Sequence, residues 1–398
     1  MKRILGLAAV AMLVVMAYSK MMAPTKAPVA RLIKNAQASI KANPKDGDSL
    51  FLLARLYSLQ YASASDQVAV YDPDHKPHLP PWDTVRVTPD KGAKDRSRPL
   101  WLSITTYRQA IQVDPKNPVA TLGYAWMQEE AAHWIAQAPA GDPKLQPIRS
   151  QTESQWRKGA ITAYRMAFEL AKDGDLGAEH AWRFPDAQVS GEAAENLLRL
   201  HRAGLVSLSN SDVSRYEDQI KKLKEKPVVI SPIIFPVAPN TKFSELTDTS
   251  AQVKFALDGR TPKTWSWIKP NAAFLCWDPN GTGKVESGRD LFGNVTFWMF
   301  FRNGYDALAS LDDNHDGILT GRELRFIRVW RDANSNGISD PGEVRSLASY
   351  GIVGIRCRAG GRNGAIWHNT AGLVLADGSV KPTYDWLGTE QTRTADPR

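Results

Sequence analysis

Three short acidic loops between Asp278 and Glu343 restrict this chain more than any other feature. The clearest carries Asp312, Asn314 and Asp316 at alternate positions, then Gly317, with Glu323 as the twelfth residue. Such a pattern curls side-chain oxygens inward around a hard cation. Calcium asks for six to eight oxygens at about 2.3 to 2.6 Å, closed by one bidentate carboxylate. The ligand set expected here is Asp312, Asn314, Asp316, the Ile318 carbonyl, Thr320 through a water, and Glu323, with Gly317 permitting the turn. Leu319 is expected to pair one loop with another.

The second loop keeps the same frame: Asp332, Asn334, Asn336, Gly337, the Ile338 carbonyl, Asp340 and Glu343. The third offers Asp278, Asn280, Thr282, Gly283, the Lys284 carbonyl and Glu286, but its twelfth residue is Arg289 and the next carboxylate is Asp290. A shorter acid one place late must bend the backbone to reach an ion, so this loop is expected to be the weakest. Magnesium is the lesser alternative, because it needs tight octahedral geometry. Asx-rich turns that hold no metal are the other. Between the first two loops, Leu324, Ile327 and Trp330 fall at helical spacing, which predicts one short helix leaving one loop and entering the next.

These loops resemble EF-hand proteins, and more closely the EF-hand-like modules of large exported bacterial proteins. The run Gly288-Arg289-Asp290-Leu291-Phe292-Gly293 and the segment Trp330 to Gly337 carry that resemblance, which covers roughly residues 252 to 357. Asp290 departs from it where glutamate is usual. The resemblance implies a calcium-binding α+β domain over 252–390, with loops and short helices clipped to a small sheet.

Upstream, residues 27–225 read as all-α. Tyr107, Ala110, Ile111, the turn Asp114-Pro115-Lys116-Asn117 and then Leu122-Gly123-Tyr124 resemble a tetratricopeptide repeat. Asn43-Pro44 followed by Leu53, Ala54 and Tyr57 does so more partially, and a weaker pair starts at Trp156. This implies a helical-repeat domain with a groove for a protein or peptide partner, interrupted by a polar insertion at 61–98. A packed scaffold without a groove is the alternative. Together the two halves give an α+β fold class: a helical domain first, a calcium domain second.

The proline-rich stretch 226–251 reads as a stiff linker or a strand along the domain edge. Strands are expected at Val253 to Leu257, Ala272 to Trp277 and Ile352 to Cys357, and a short helix through Tyr305, Leu308 and Leu311 into the Asp312 loop. Cys276 and Cys357 sit in two of these strands. In an oxidising compartment they are expected to form a disulfide, adding roughly 4 kcal/mol on the chain-entropy model; two separate buried thiols are the alternative.

Residues 1–19 have the form of a signal peptide: Met1-Lys2-Arg3, an apolar run from Ile4 to Met16, then Ala17-Tyr18-Ser19. The run is too short to cross a bilayer comfortably. The expectation is an exported bacterial protein, periplasmic, surface-bound or secreted, with no stable membrane span after cleavage. A net charge of +8 invites a nucleic-acid reading, but the basic residues are scattered without interleaved aromatics, so no nucleic-acid partner is expected. Gly281-Thr282-Gly283-Lys284 fails as a phosphate loop, since Val285 follows the lysine. No G-x-S-x-G or H-E-x-x-H occurs, so no catalytic role is assigned. The function expected is structural calcium binding, with the helices for protein contact. Two alternatives stand: a calcium-responsive sensor or adaptor, and an accessory to a cell-envelope enzyme with structural calcium.

Overall fold

The computed structural model describes residues 27–63, 97–137, 142–176, 188–226, 228–259 and 262–391. The expected signal peptide and most of the 61–98 insertion lie outside these residues.

Helices come first. They are α1 (Val29–Ala42), α2 (Gly47–Ser63), α3 (Ser97–Val113), α4 (Pro118–Gln137), α5 (Glu153–Leu176), α6 (Gln188–Arg202) and α7 (Asn210–Lys224). The punctuation is local. Pro118 opens α4, where its missing N–H is no loss, and the Asn117 side chain caps that turn by accepting from Ala120 N–H at 3.0 Å. Ser209 caps α7 in the same way, accepting from Asp212 N–H at 3.1 Å. Gly123 lets α4 press against α3, since a Cβ there would sit 2.4 Å from Tyr107 Cζ. Successive helix pairs begin at Val29, Ser97 and Glu153, so they do not return every 34 or so residues as a tetratricopeptide unit does.

The second region is sheet-rich, so the chain is α+β. Its strands are β1 (Val229–Ile230), β2 (Ile233–Pro236), β3 (Thr247–Phe255), β4 (Lys263–Ile268), β5 (Ala272–Trp277), β6 (Ile318–Thr320), β7 (Ile327–Trp330), β8 (Val344–Ser346), β9 (Ile352–Arg356), β10 (Gly361–Asn363), β11 (Ile366–Leu375), β12 (Val380–Asp385) and β13 (Gly388–Thr389). A curled antiparallel sheet of nine strands runs β6-β9-β11-β12-β2-β5-β7-β8, with β10 on β11. One short helix, α8 (Gly304–Ala309), leads into the Asp312 loop.

Two expectations change. The proline-rich stretch is neither linker nor edge: β2 lies inside the sheet between β12 and β5, and all four of its residues are buried. Pro232 precedes the strand and Pro236 ends it opposite Ala272, so Ile234 and Phe235 still meet Phe274 and Ala273. The helix expected between the two clear loops is a single 3-10 turn, Gly321–Leu324, followed by β7 on β5. Ile327 and Val329 point into the core at strand spacing. β-branched residues beside an open sheet edge outweigh a three-residue apolar period that also fits a helix.

Helices and sheet share their apolar core. Val29, Leu32, Leu56 and Leu59 pack with Ile233, Phe235, Leu275 and Phe301. Arg55, fully buried, reaches across from α2: its guanidinium donates to the Trp298 carbonyl at 3.0 and 3.2 Å and lies over the Phe300 ring. Burial pulls its pKa down to about 10. The segment it grips is strained: Phe297, Trp298 and Phe300 all have φ between 54° and 58°. Their burial against both regions offsets that cost.

Candidate metal-binding loops

All three acidic loops share one backbone path. The fourth position is left-handed in each (Gly281 at 63°, His315 at 61°, Ser335 at 55°), and so is the sixth (Gly283 at 67°, Gly317 at 89°, Gly337 at 74°). A side chain at the fourth position is strained by this, so the common path is imposed by the hydrogen bonds of the first residue. Asp278 Oδ2 accepts from Gly283 N–H at 2.9 Å, Asp312 Oδ2 from Gly317 at 2.9 Å, and Asp332 Oδ2 from Gly337 at 2.8 Å.

In the Asp312 loop, the closing glutamate is already turned inward. Glu323 Oε1 accepts from Asp313 N–H at 2.7 Å and Oε2 from Thr320 N–H at 2.9 Å. Asp316 Oδ1 accepts from Ile318 N–H at 2.9 Å, and Asn314 Oδ1 from Asp316 N–H at 3.1 Å. Asp312 is only 3% exposed, and its Oδ1 is buried without a hydrogen-bond partner. A buried carboxylate oxygen left unpaired is costly, on the order of 1 to 3 kcal/mol or more. Its other oxygen, Oδ2, also takes the Cys357 thiol at 3.5 Å. Burial holds that thiol protonated, its pKa pushed up to about 12.

The Asp332 loop repeats the frame with other supports. Glu343 Oε1 accepts from Ala333 N–H at 2.7 Å and Oε2 from Asp340 N–H at 3.1 Å. Asn334 and Asn336 both donate to Asp340 Oδ2 at 3.0 Å. The Ile338 carbonyl belongs to an exposed residue, 59% open to solvent. Asp332 itself is fully buried but both its oxygens are satisfied: Oδ1 by Asn336 N–H at 3.1 Å, Oδ2 by the Trp267 indole at 2.6 Å as well as by Gly337. Burial raises its pKa, against the pull of those donors.

The Asp278 loop is closed differently. Asp290 Oδ2 accepts from Glu286 N–H at 3.0 Å and Ser287 N–H at 3.2 Å, capping a 3-10 turn. In the other loops the closing glutamate also takes the N–H of the second residue. Here the second residue is Pro279, which has none. Asn280, Thr282 and Lys284 lie in the loop as expected, with Thr282 N–H donating to Asp278 Oδ1 at 2.9 Å. The pairing assigned to Leu319 is also different. Leu319 is buried opposite Ile355 in β9, while the Asp278 and Asp332 loops are joined by Val285 N–H donating to Ser339 Oγ at 3.0 Å. Trp267 and Ser339 carried no sequence signal, because each acts from another loop or strand.

Among the described residues, no three His, Cys, Asp or Glu side chains gather into a single metal cluster. The loops instead mix carboxylates with amide, hydroxyl and carbonyl oxygens, a set that suits a hard cation. The orphaned Asp312 Oδ1 makes the Asp312 loop the one that best fits calcium. The expected disulfide is not formed: Cys276 and Cys357 are separate buried thiols.

The flanking elements overturn the EF-hand resemblance. An EF-hand sets its loop between two helices, but the Asp332 loop joins β7 to β8, and the Asp312 loop leaves a six-residue helix for strand β6 and a 3-10 turn. Over a 91-residue stretch the chain is 40% identical to the iron-regulated protein FrpA of Neisseria meningitidis serogroup C. That stretch is 22% of this chain and 8% of the relative, so the chain spans a small part of that protein's length. Residues 242–387, most of the sheet region and all three loops, match the family model of the SPM domain, and it is this domain, not an EF-hand, that the chain resembles there.

Proposed function

We propose that the sheet region is a calcium-stabilised module of an exported protein and that the helical region is its contact surface for a protein partner. The observation that carries the calcium reading is the buried, unpartnered Oδ1 of Asp312 inside a loop where Glu323 and Asn314 already turn their oxygens onto loop N–H groups. Asp312, Asn314, Asp316, the Ile318 carbonyl, Thr320 and Glu323 would hold the ion in the first loop. Asp332, Asn334, Asn336, the Ile338 carbonyl, Asp340 and Glu343 would do so in the second. Bound calcium supplies charge neutralisation and nothing more. The chain's own part is to keep a buried carboxylate oxygen of Asp312 unpaired, a cost that opposes folding until a cation offsets it. No catalytic role is proposed. Export rests on the Met1 to Ser19 pattern. It also suits the chemistry, since weak calcium sites fill where the ion is abundant. Among the described residues no helix is long and apolar enough to cross a membrane.

Calcium titration by calorimetry tests this reading, with thermal unfolding followed in parallel. Two ions binding the parent, loss of binding in Glu323→Gln with Glu343→Gln, and a calcium-dependent rise in melting temperature are the expected results. No binding up to millimolar calcium would sink it.

A further inference from the structure

We propose that α1 is a strap across the Asp312 loop, and that calcium binding in that loop is linked to the docking of this helix. The inference rests on the calcium reading above and concerns its regulation. Helix α1 lies outside the 242–387 stretch that resembles the SPM domain, so the strap joins the matched stretch to the helical region.

The contacts converge on the residues around the first ligand. Arg31 Nη2 donates to the Leu311 carbonyl at 2.6 Å, and Arg31 Nε to Asp313 Oδ1 at 2.7 Å. Asn35 Nδ2 donates to the Ser310 carbonyl at 3.0 Å and to Asp313 Oδ1 at 2.9 Å. Asn35 is buried, and Arg31 and Asn35 lie one turn apart on the face that also buries Leu32 and Ala36. Asp313 is the pivot. Its side chain is held by the helix, while its own N–H is given to Glu323 Oε1, the carboxylate that closes the loop. Whatever orders Glu323 orders Asp313, and through it α1.

The Asp332 loop supplies the internal contrast. Its second residue makes the same backbone bond to Glu343, but that residue is Ala333, with no side chain for a helix to grip. Its support comes from Trp267 and from Ser335 Oγ, which donates to the Ile268 carbonyl at 3.1 Å, both contacts within the sheet region. The linkage is therefore specific to the first loop. It is also reciprocal: if calcium tightens the strap, the strap tightens calcium by the same factor.

Hydrogen exchange on the full chain, with and without calcium, tests this. Calcium is expected to slow exchange of the amides of residues 29–42 by about tenfold, within the usual range of such couplings. The protection persists in Asp332→Asn with Glu343→Gln and disappears in Asp312→Asn with Glu323→Gln. The double variant Arg31→Gln with Asp313→Asn, which removes one charge of each sign from a partly exposed ion pair, abolishes protection of α1 and weakens one calcium site about tenfold. Asn35→Leu does the same from the buried side. Calcium bound by calorimetry with α1 exchange unchanged overturns the strap alone. So does protection lost equally when only the second loop is disabled. No calcium bound by the parent removes the underlying reading, and the strap with it.

Discussion

The Asp312 and Asp332 loops are written in nearly the same residues and follow the same backbone, yet they are held from different sides. The first is gripped by a helix from the other end of the chain and leaves one carboxylate oxygen unpaired in the interior. The second is gripped by a tryptophan from the neighbouring hairpin, and its first aspartate has no oxygen left over. A short motif thus sets local geometry, while its surroundings decide how much free energy remains for a ligand to recover. On this comparison the Asp312 loop has the larger gain from an ion, and the Asp332 loop is the better ordered without one.

Substitution of the sixth-position glycines separates the two most strongly. Both have positive φ, so alanine is strained at each by roughly 1 kcal/mol or more. At Gly337 the added Cβ would also sit 2.5 Å from Val253 Cγ1, whereas at Gly317 nothing lies nearer than Arg358 Nε at 3.6 Å. Gly337→Ala is expected to destabilise by about 3 kcal/mol and Gly317→Ala by about 1 kcal/mol, read from chemical denaturation without calcium. Equal costs would mean that Val253 gives way freely.

Next comes the indole. Trp267→Phe removes a donor to a buried carboxylate and is expected to cost about 2 kcal/mol. It should leave the affinity of the Asp312 loop untouched in calorimetry. A matching loss at both loops would break the claim that they are supported separately.

Single ligand changes sharpen the contrast further. Asp312→Asn is expected to reduce calcium affinity at one site by at least about tenfold, since one carboxylate charge near the ion is worth more than about 1.4 kcal/mol. Because the Asp312 Oδ1 makes no bond to lose and its buried charge is unpaired, the same change should hold or raise the melting temperature without calcium. Asp332→Asn places an amide where two donors already converge and should lower that melting temperature visibly.

The smallest effect is a slope with pH. Asp385, in β12, is fully buried, with Oδ1 accepting from Gly304 N–H at 2.8 Å and Oδ2 unpartnered. Burial pushes its pKa well above the ordinary carboxylate range. The folded protein therefore holds this proton where the unfolded chain has lost it. Its stabilising contribution is complete below the ordinary carboxylate pKa and falls as pH rises through the raised one. Asp385→Asn keeps the bond to Gly304 and should flatten that decline in a denaturation series from acid to neutral pH. An unchanged slope would locate the decline elsewhere.

How much of this was legible from residue order varies by element. The spacing of Asp312 to Glu323 and Asp332 to Glu343 foretold both loop paths, down to the left-handed glycines, because those paths depend on bonds spanning ten residues or fewer. The helical hairpins around Pro44 and Pro115 were legible for the same reason. Leu324, Ile327 and Trp330 misled, since a three-residue period over so short a stretch cannot tell a helix from a strand that has a partner waiting in β5. Prolines misled at 226–251, where tertiary pairing put Ile233 to Pro236 inside the sheet.

Residue order by itself determined the carboxylates, the turns and the caps, all governed by forces that act within a turn or two of chain. Only the tertiary structure decided that one loop is strapped by Arg31 and Asn35, that another is held by Trp267, that the two cysteines stay apart, and that Asp312 keeps an unpaired oxygen. Each of these depends on burial and on contacts between residues far apart in the chain, and such contacts are set by the packing of helices on sheet.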